Sequence, residues 1–307
     1  LYEANWLDLT KAGHLANVQC NEVWCPMTRE FMREYLRDDN AMRKQLLHVM
    51  NPNKLMACQY LIEYHERQRG DKIIVFSDNI FALREYAIRM KKPFIYGDTS
   101  HGERTRILHT FKMSKDVNTL FLSKVGDNSI DIPNANVIIQ ISSHAGSRRQ
   151  EAQRLGRILR AKSGVALCSS EGGDEYNAFF YSLVSTDTRE MYFSTKREEF
   201  LINQGYSFRI ITNLLDSADK ASLSCSTEDE QLNLLAKVLE AGASDAAVEQ
   251  MAGEEDGFDE HREERPAAVR TTGNMRALSG AAGMVYQEFS KNMRGDKQGQ
   301  PSSSKPR

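Results

Sequence analysis

The chain has 307 residues, 40% of them hydrophobic, with 40 Lys or Arg against 42 Asp or Glu and a formal net charge of −2. That length holds one large domain or two small ones, and the modest hydrophobic share points to a folded part plus a polar remainder. No apolar run is long enough to span a bilayer, no signal peptide is evident, and the near-neutral total does not by itself mark a nucleic-acid binder. The average hides segregation, however. Residues 228–265 carry 13 acidic residues against 3 Lys or Arg, and from Arg270 onward 7 basic residues face 2 acidic ones. These tails conceal a basic region around residues 148–162. The cysteines at 20, 25, 58, 168 and 225 form no CxxC and no Cys/His pair at zinc spacing; Cys20 and Cys25 sit in an apolar run and are expected to be reduced, buried and inert.

In chain order, residues 1–9 make a short amphipathic piece, and 16–26 (ANVQCNEVWCP) read as a strand closed by Pro26. Residues 1–27 are expected to be the end of something upstream. Residues 28–45 are charged and helical. Asn51-Pro52 is a helix start, a cap followed by Pro in the first turn. Leu55, Cys58, Leu61, Ile62 and His65 follow at helical spacing, and Arg69-Gly70 ends the helix. From here short apolar strands alternate with helices. Strands are expected at 72–77 (KIIVFS), 93–96, 119–123 (TLFLS), 136–141 (NVIIQI), 178–184 (AFFYSLV) and 206–211. Helices are expected at 81–90, at 102–113 with Ile107, Leu108 and Phe111 inward, at 147–162, and from a cap at Asp187 to Gln204, closed by Gly205. The alternation predicts a parallel α/β sheet with helices on both faces. Ligands of such sheets bind at the carboxyl ends of the strands, here the loops after Ser77, Tyr96, Ser123 and Ile141. Beyond 212 the composition reads as a largely disordered, low-complexity tail, 213–307. One helix is expected in it at about 227–241, with Thr227 and Glu230 as a capping box and Leu232, Leu235, Val238 and Leu239 as its stripe.

Residues 147–162 (SRRQEAQRLGRILRAK) dominate the chemistry. At about 100° per residue, Ala152, Leu155, Ile158 and Leu159 share one face, and Gln153, Gly156, Arg157 and Arg160 share a narrow arc of the other. Aligned guanidiniums suit a polyanion, because each offers a planar fork of donors to phosphate oxygens. The plainer alternative is the solvated face of an amphipathic helix.

Read together, the loops give Tyr96-Gly97 with Glu103-Arg104, then 123–133 (SKVGDNSIDIP), then 153–160 (QRLGRILR). Their order and spacing resemble motifs IV, V and VI of superfamily 2 helicases, carried on the second RecA-like lobe. Ser123 and Asp131-Ile132-Pro133 match motif V; Gln153, Gly156, Arg157 and Arg160 match motif VI. Asn128-Ser129 stands where the family usually has Arg-Gly. Stretches such as EVWCPM, MNPNK and SRRQEAQRLGRILRAK are closer still to the C-terminal half of the XPB family, DNA helicase/translocase subunits of TFIIH.

The resemblance implies the end of a first RecA-like lobe in 1–27, a thumb-like helical linker in 28–50 and a second RecA-like lobe in 51–212. It implies an ATP-dependent 3′–5′ DNA helicase or translocase acting in transcription initiation and nucleotide excision repair in the nucleus. Arg157 and Arg160 then act on the γ-phosphate, with Gln153, Gly156, Asp131 and Gly126 near the nucleotide. Ser123, Gly97, Thr99 and Arg104 meet the DNA backbone. The implied cofactor is ATP with Mg²⁺, the metal held by the first lobe. The implied partners are DNA, that first lobe and other TFIIH subunits. Neither GxxxxGK[ST] nor a strand-borne DExx box occurs in these 307 residues, so the chain alone is expected to be inactive. The alternative is a truncated, non-hydrolysing module that binds DNA or a partner.

Overall fold

The computed structural model describes residues 16–123, 135–142, 154–156, 176–203, 205–219 and 222–241. In chain order they form β1 (Val18–Cys25), α1 (Arg29–Arg37), α2 (Ala41–Val49), α3 (Pro52–Tyr64), β2 (Ile73–Phe76), α4 (Ile80–Arg89), β3 (Phe94–Ile95), α5 (His101–Met113), β4 (Thr119–Leu122), β5 (Val137–Gln140), β6 (Ala178–Ser185), α6 (Arg189–Asn203), β7 (Ser207–Ile211) and α7 (Glu228–Glu240). The seven strands make one sheet in the order β3-β4-β2-β5-β6-β1-β7, with every pairing parallel.

The central strands are buried on both faces, as unbroken apolar runs such as Ile73–Phe76 require. Two apolar layers result. One joins Val75, Ile139 and Leu183 to α1–α4 and α7; the other joins Ile74, Ile138 and Phe180 to Phe111 of α5, Leu155 and Leu201 of α6. Helices therefore cover both faces of the sheet. Cys20, Cys25, Cys58 and Cys225 are free and buried, and burial pushes the Cys25 thiol up to about 12. Cys168 lies outside the described residues. No helix among the described residues is long and apolar enough to cross a membrane.

Local chemistry sets the boundaries. Asn51 Oδ1 accepts from Asn53 N–H at the start of α3 with Pro52 in its first turn, and Asn79 Oδ1 accepts from Ala82 N–H at the start of α4. The chain leaves the π turn His65–Arg69 after α3 through Gly70 at φ 67°, in the left-handed region glycine tolerates. Gly205 at φ 81° does the same after α6.

The structure departs from the sequence reading in four places. The strand of 16–26 does not stand apart from the lobe: β1 pairs with β6 on one side and β7 on the other, inside the same sheet. The helical segment expected over 28–45 divides into two helices, because Asn40 Oδ1 accepts from Met42 N–H and Arg43 N–H and starts α2 afresh. Asp187 sits at φ 60° and is not the cap of α6; the Thr188 hydroxyl accepts from Glu190 N–H there. The capping box of α7 is present, but its buried residues are Leu234, Leu235 and Val238, while Leu232 is 44% exposed. α7 packs on α1 and α2, so the segment through residue 241 belongs to the lobe. The expected disorder of 242–307 concerns residues outside those described.

Candidate functional site

Because every strand runs the same way, the carboxyl ends line one edge of the sheet. Across it lie, in order, the turn after β3, Ser123 after β4, Ser77–Asn79 after β2, Ile141-Ser142 after β5, and the ends of β6 and β1.

The β3–β4 end gathers four candidate residues. Thr99 closes a tight turn: its hydroxyl accepts from Tyr96 N–H at 3.1 Å, and its own N–H donates to Tyr96 O at 3.1 Å. Gly97 lies exposed within that turn. Ser100 caps α5, and Arg104 one turn later reaches back to Thr99 O at 3.4 Å. No ion pair of Arg104 is found among the described residues, and its Nε is buried there without a hydrogen-bond partner. Ser123 is fully buried and its N–H donates to Ile95 O at 3.1 Å. The Ser123 N–H is therefore committed to the sheet.

The β2–β5 end is a buried polar cluster. Ser77 Oγ lies 3.0 Å from Ser142 Oγ, and Asp78 N–H donates to Ser142 Oγ at 2.8 Å. Arg154 Nη2 donates to Asp78 Oδ1 at 2.7 Å, with both side chains essentially buried. The same guanidinium lies 4.6 Å from the Phe76 ring centroid, in cation–π range. Residues 154–156 are helical, with Leu155 in the core and Gly156 exposed. A Cβ added at Gly156 would meet nothing within 4 Å. The inward face expected for Leu155 and the outward one for Gly156 are both observed. Gln153, Arg157, Arg160, Asp131 and Gly126 lie outside the described residues.

Sequence reading missed Asp78, Ser142 and Arg154. Arg154 lies four residues before Ile158, only about 40° away on a helical wheel, and so borders the inward face rather than the basic arc. That position was the available signal. Asp78, the first acidic residue after an apolar strand, had a weaker one.

A second polar group underlies the ends of β1, β5 and β6. Lys54 Nζ lies 2.6 Å from Glu190 Oε2 and donates to Ile141 O at 3.3 Å, while Ser185 N–H donates to the same carboxylate at 2.8 Å. Asn51 Nδ2 donates to Cys25 O and to Ser185 Oγ. Burial lowers His48 to about 4, the Glu190 charge opposing the shift. Among the described residues no group of three or more His, Cys, Asp or Glu could hold a metal ion.

A doubly covered parallel sheet with a polar, arginine-anchored carboxyl edge defines an α/β lobe of the kind whose ligands bind at that edge. Residues 9–268 match the family described as ERCC3/RAD25/XPB C-terminal helicase, and the chain belongs to that family. It is 63% identical over 289 residues to the general transcription and DNA repair factor IIH helicase/translocase subunit XPB1 of Arabidopsis thaliana, covering 94% of this chain and 37% of that protein. The corresponding XPB/SSL2 subunit of Saccharomyces cerevisiae is 54% identical over 297 residues, 95% of this chain and 34% of that protein. The chain thus spans little more than a third of the length of these relatives. Among solved structures, the E. coli DEAD-box protein SrmB bound to regulator of ribonuclease activity A is similar at a TM-score of 0.43 and 15% identity, over 63% of this chain and 89% of that one. That likeness carries no functional weight.

Proposed function

We propose that this chain is the C-terminal motor lobe of an ATP-dependent 3′–5′ DNA helicase or translocase, working in a nuclear TFIIH-like assembly to open DNA in transcription initiation and excision repair. Membership of the XPB-type helicase family supports the class. The observation that carries the mechanism is the Arg154–Asp78 contact, which seats residues 154–156 at the carboxyl end of β2 with Gly156 outward. The adjoining Gln153, Arg157 and Arg160 belong to the same short stretch.

In this reading ATP, with Mg²⁺ held by a first lobe, supplies the phosphoryl group. Catalysis of its transfer is mostly positioning and charge stabilisation. Arg157 and Arg160 face the γ-phosphate across the cleft, and losing such a finger costs on the order of 10³-fold or more in rate. Gln153, Gly156, Asp131 and Gly126 line the nucleotide side. Gly97, Thr99 and Arg104 hold one DNA strand by its phosphates, and Ser123 enters this set only through its hydroxyl. Such contacts carry no base information and make binding strongly salt-dependent. Alternate closing and parting of two lobes would then move the strand.

The test joins this chain to a first lobe and measures DNA-stimulated ATP hydrolysis with Arg157→Ala beside it. The isolated chain should not hydrolyse ATP; the joined lobes should, and Arg157→Ala should lose most of that rate while DNA binding survives. The second reading is a non-hydrolysing DNA- or partner-binding module. It takes over if the joined lobes are inactive or Arg157→Ala hydrolyses normally.

A further inference from the structure

Asp78 holds both flanks of the segment 143–153. Its N–H donates to Ser142 Oγ at 2.8 Å, just before the segment, and its carboxylate receives Arg154 Nη2 at 2.7 Å, just after it. The backbone N–H and the carboxylate of one residue thus hold both Ser142, just past β5, and Arg154, the first residue of the described helical stretch 154–156. The surroundings leave this anchor little freedom. Ser77 Oγ lies against Ser142 Oγ and donates to Asn79 O, Asn79 caps α4, and Lys54 holds Ile141 O from below. Arg154 is 1% exposed and lies over Phe76, the last residue of β2. A buried, forked guanidinium on an aromatic face has few alternative positions.

A solvated helix on a sheet edge needs no such device. An apolar residue at 154 would seat the helix with less desolvation, since a buried ion pair is often no more stabilising than a hydrophobic substitute. What the pair supplies is a fixed register: a carboxylate at the end of β2 sets the position and rotation of residue 154. Gln153 precedes Arg154 directly, and Arg157 follows one helical turn later in sequence.

We propose that Asp78 and Arg154 are positioning residues for the motif VI side chains, aligning Arg157 and Gln153 without touching nucleotide. The proposal rests on the motor-lobe reading above and deepens it. Misplacing a reacting group by about 1 Å costs roughly 10²-fold in rate. Loss of the anchor should therefore appear in kcat, with the KM for ATP and the affinity for DNA little changed.

The experiment uses the full-length protein with its first lobe. It compares Asp78→Asn, Arg154→Met and the double variant by DNA-stimulated ATPase kinetics, DNA binding and thermal unfolding. Each single change leaves one buried partner behind, so both singles should unfold at lower temperature. The double removes both charges and should recover most of the wild-type unfolding temperature. The expected result is that the recovered double still shows kcat lowered about 10- to 100-fold, with KM for ATP and DNA affinity within about threefold of wild type. A double variant whose kcat returns with its stability overturns the proposal, since the pair would then serve only the core. One that does not fold overturns it too, because the lobe itself would need the pair. Arg157→Ala separates the two readings: if it hydrolyses ATP normally, the finger assignment fails whatever the anchor does.

Discussion

Lys54 Nζ lies 2.6 Å from Glu190 Oε2, and neither side chain is more than 9% exposed. Lys54 stands in the first turn of α3 and Glu190 in the first turn of α6. The pair therefore ties two helices together at the carboxyl edge, while Lys54 also takes up Ile141 O and Glu190 takes up Ser185 N–H. Lys54→Met leaves a buried carboxylate without its cation and should cost about 3–5 kcal/mol of unfolding free energy. Adding Glu190→Leu should return much of that loss. A double variant no more stable than Lys54→Met, measured by urea titration, would mean the two side chains act separately.

The ring of His48 titrates near 4 in the folded lobe because burial disfavours its charged form, against about 6.5 in an unfolded chain. Between those values the unfolded state binds the additional proton, so stability falls as pH drops from about 6.5 towards 4 and is unaffected by His48 above that window. Asp71 acts lower. Burial pushes its carboxyl up, but hydrogen bonds from His65 and Arg69 and their charges outweigh this and hold it below its ordinary value of 3.8. Its contribution is present above 3.8 and is lost as pH falls through the folded value. Denaturant titrations at pH 7, 5.5 and 4.5 should show a slope in wild type that His48→Gln flattens. An unchanged slope in the variant would assign the effect to another group.

Leu234 is fully buried where α7 meets α1 and α2, and Leu232 faces solvent. Leu234→Ala should cost about 2–5 kcal/mol, and Leu232→Ala no more than about 0.5 kcal/mol. Thr227→Ala, which removes the hydroxyl half of the capping box, should cost about 1 kcal/mol. A chain stopped at residue 212 should expose part of the apolar cluster that Leu46, Leu47 and Tyr35 share with Leu234 and Val238 and aggregate. A soluble, cooperative 212-residue product would show that α7 is dispensable.

At Gly156 the space is open and the residue is exposed. Gly156→Ala should therefore leave the unfolding temperature unchanged or slightly raised, as alanine favours helix by roughly 1 kcal/mol over glycine. Any fall in DNA-stimulated ATPase of the joined lobes then reports a ligand that approaches the backbone closely. Unchanged kinetics would remove Gly156 from the nucleotide-lining set.

Strand and helix positions were legible because their signals are local. The run KIIVFS is apolar without alternation, Asn51-Pro52 and Thr227 with Glu230 are caps, and Gly70 and Gly205 stand where the backbone turns left-handed. What was not legible depends on distant partners. Nothing within residues 16–26 says that the neighbours of β1 are β6 and β7. The sheet's carboxyl edge followed from the alternation, and with it the loops that hold Thr99 and Ser123. The anchor did not, because an arginine next to Gln153 looks like part of a basic stripe until Asp78 is seen 2.7 Å away. Ser123 shows the opposite failure: its motif position says nothing of whether its N–H is already taken by Ile95 O.

The position of β1 governs the order in which the lobe can be assembled. It is the first described strand to leave a ribosome, yet both its hydrogen-bonding partners are made more than 150 residues later. At about 5–20 residues per second that delay is roughly 10–40 s. Through it the VQCNEVWC strand has both backbone edges unpaired, the condition that invites pairing with foreign strands. Such long-range pairing also makes folding slow. Synthesis of this lobe should thus be more sensitive to chaperone supply than its size suggests, and the vulnerable interval ends only when Ile211 has emerged.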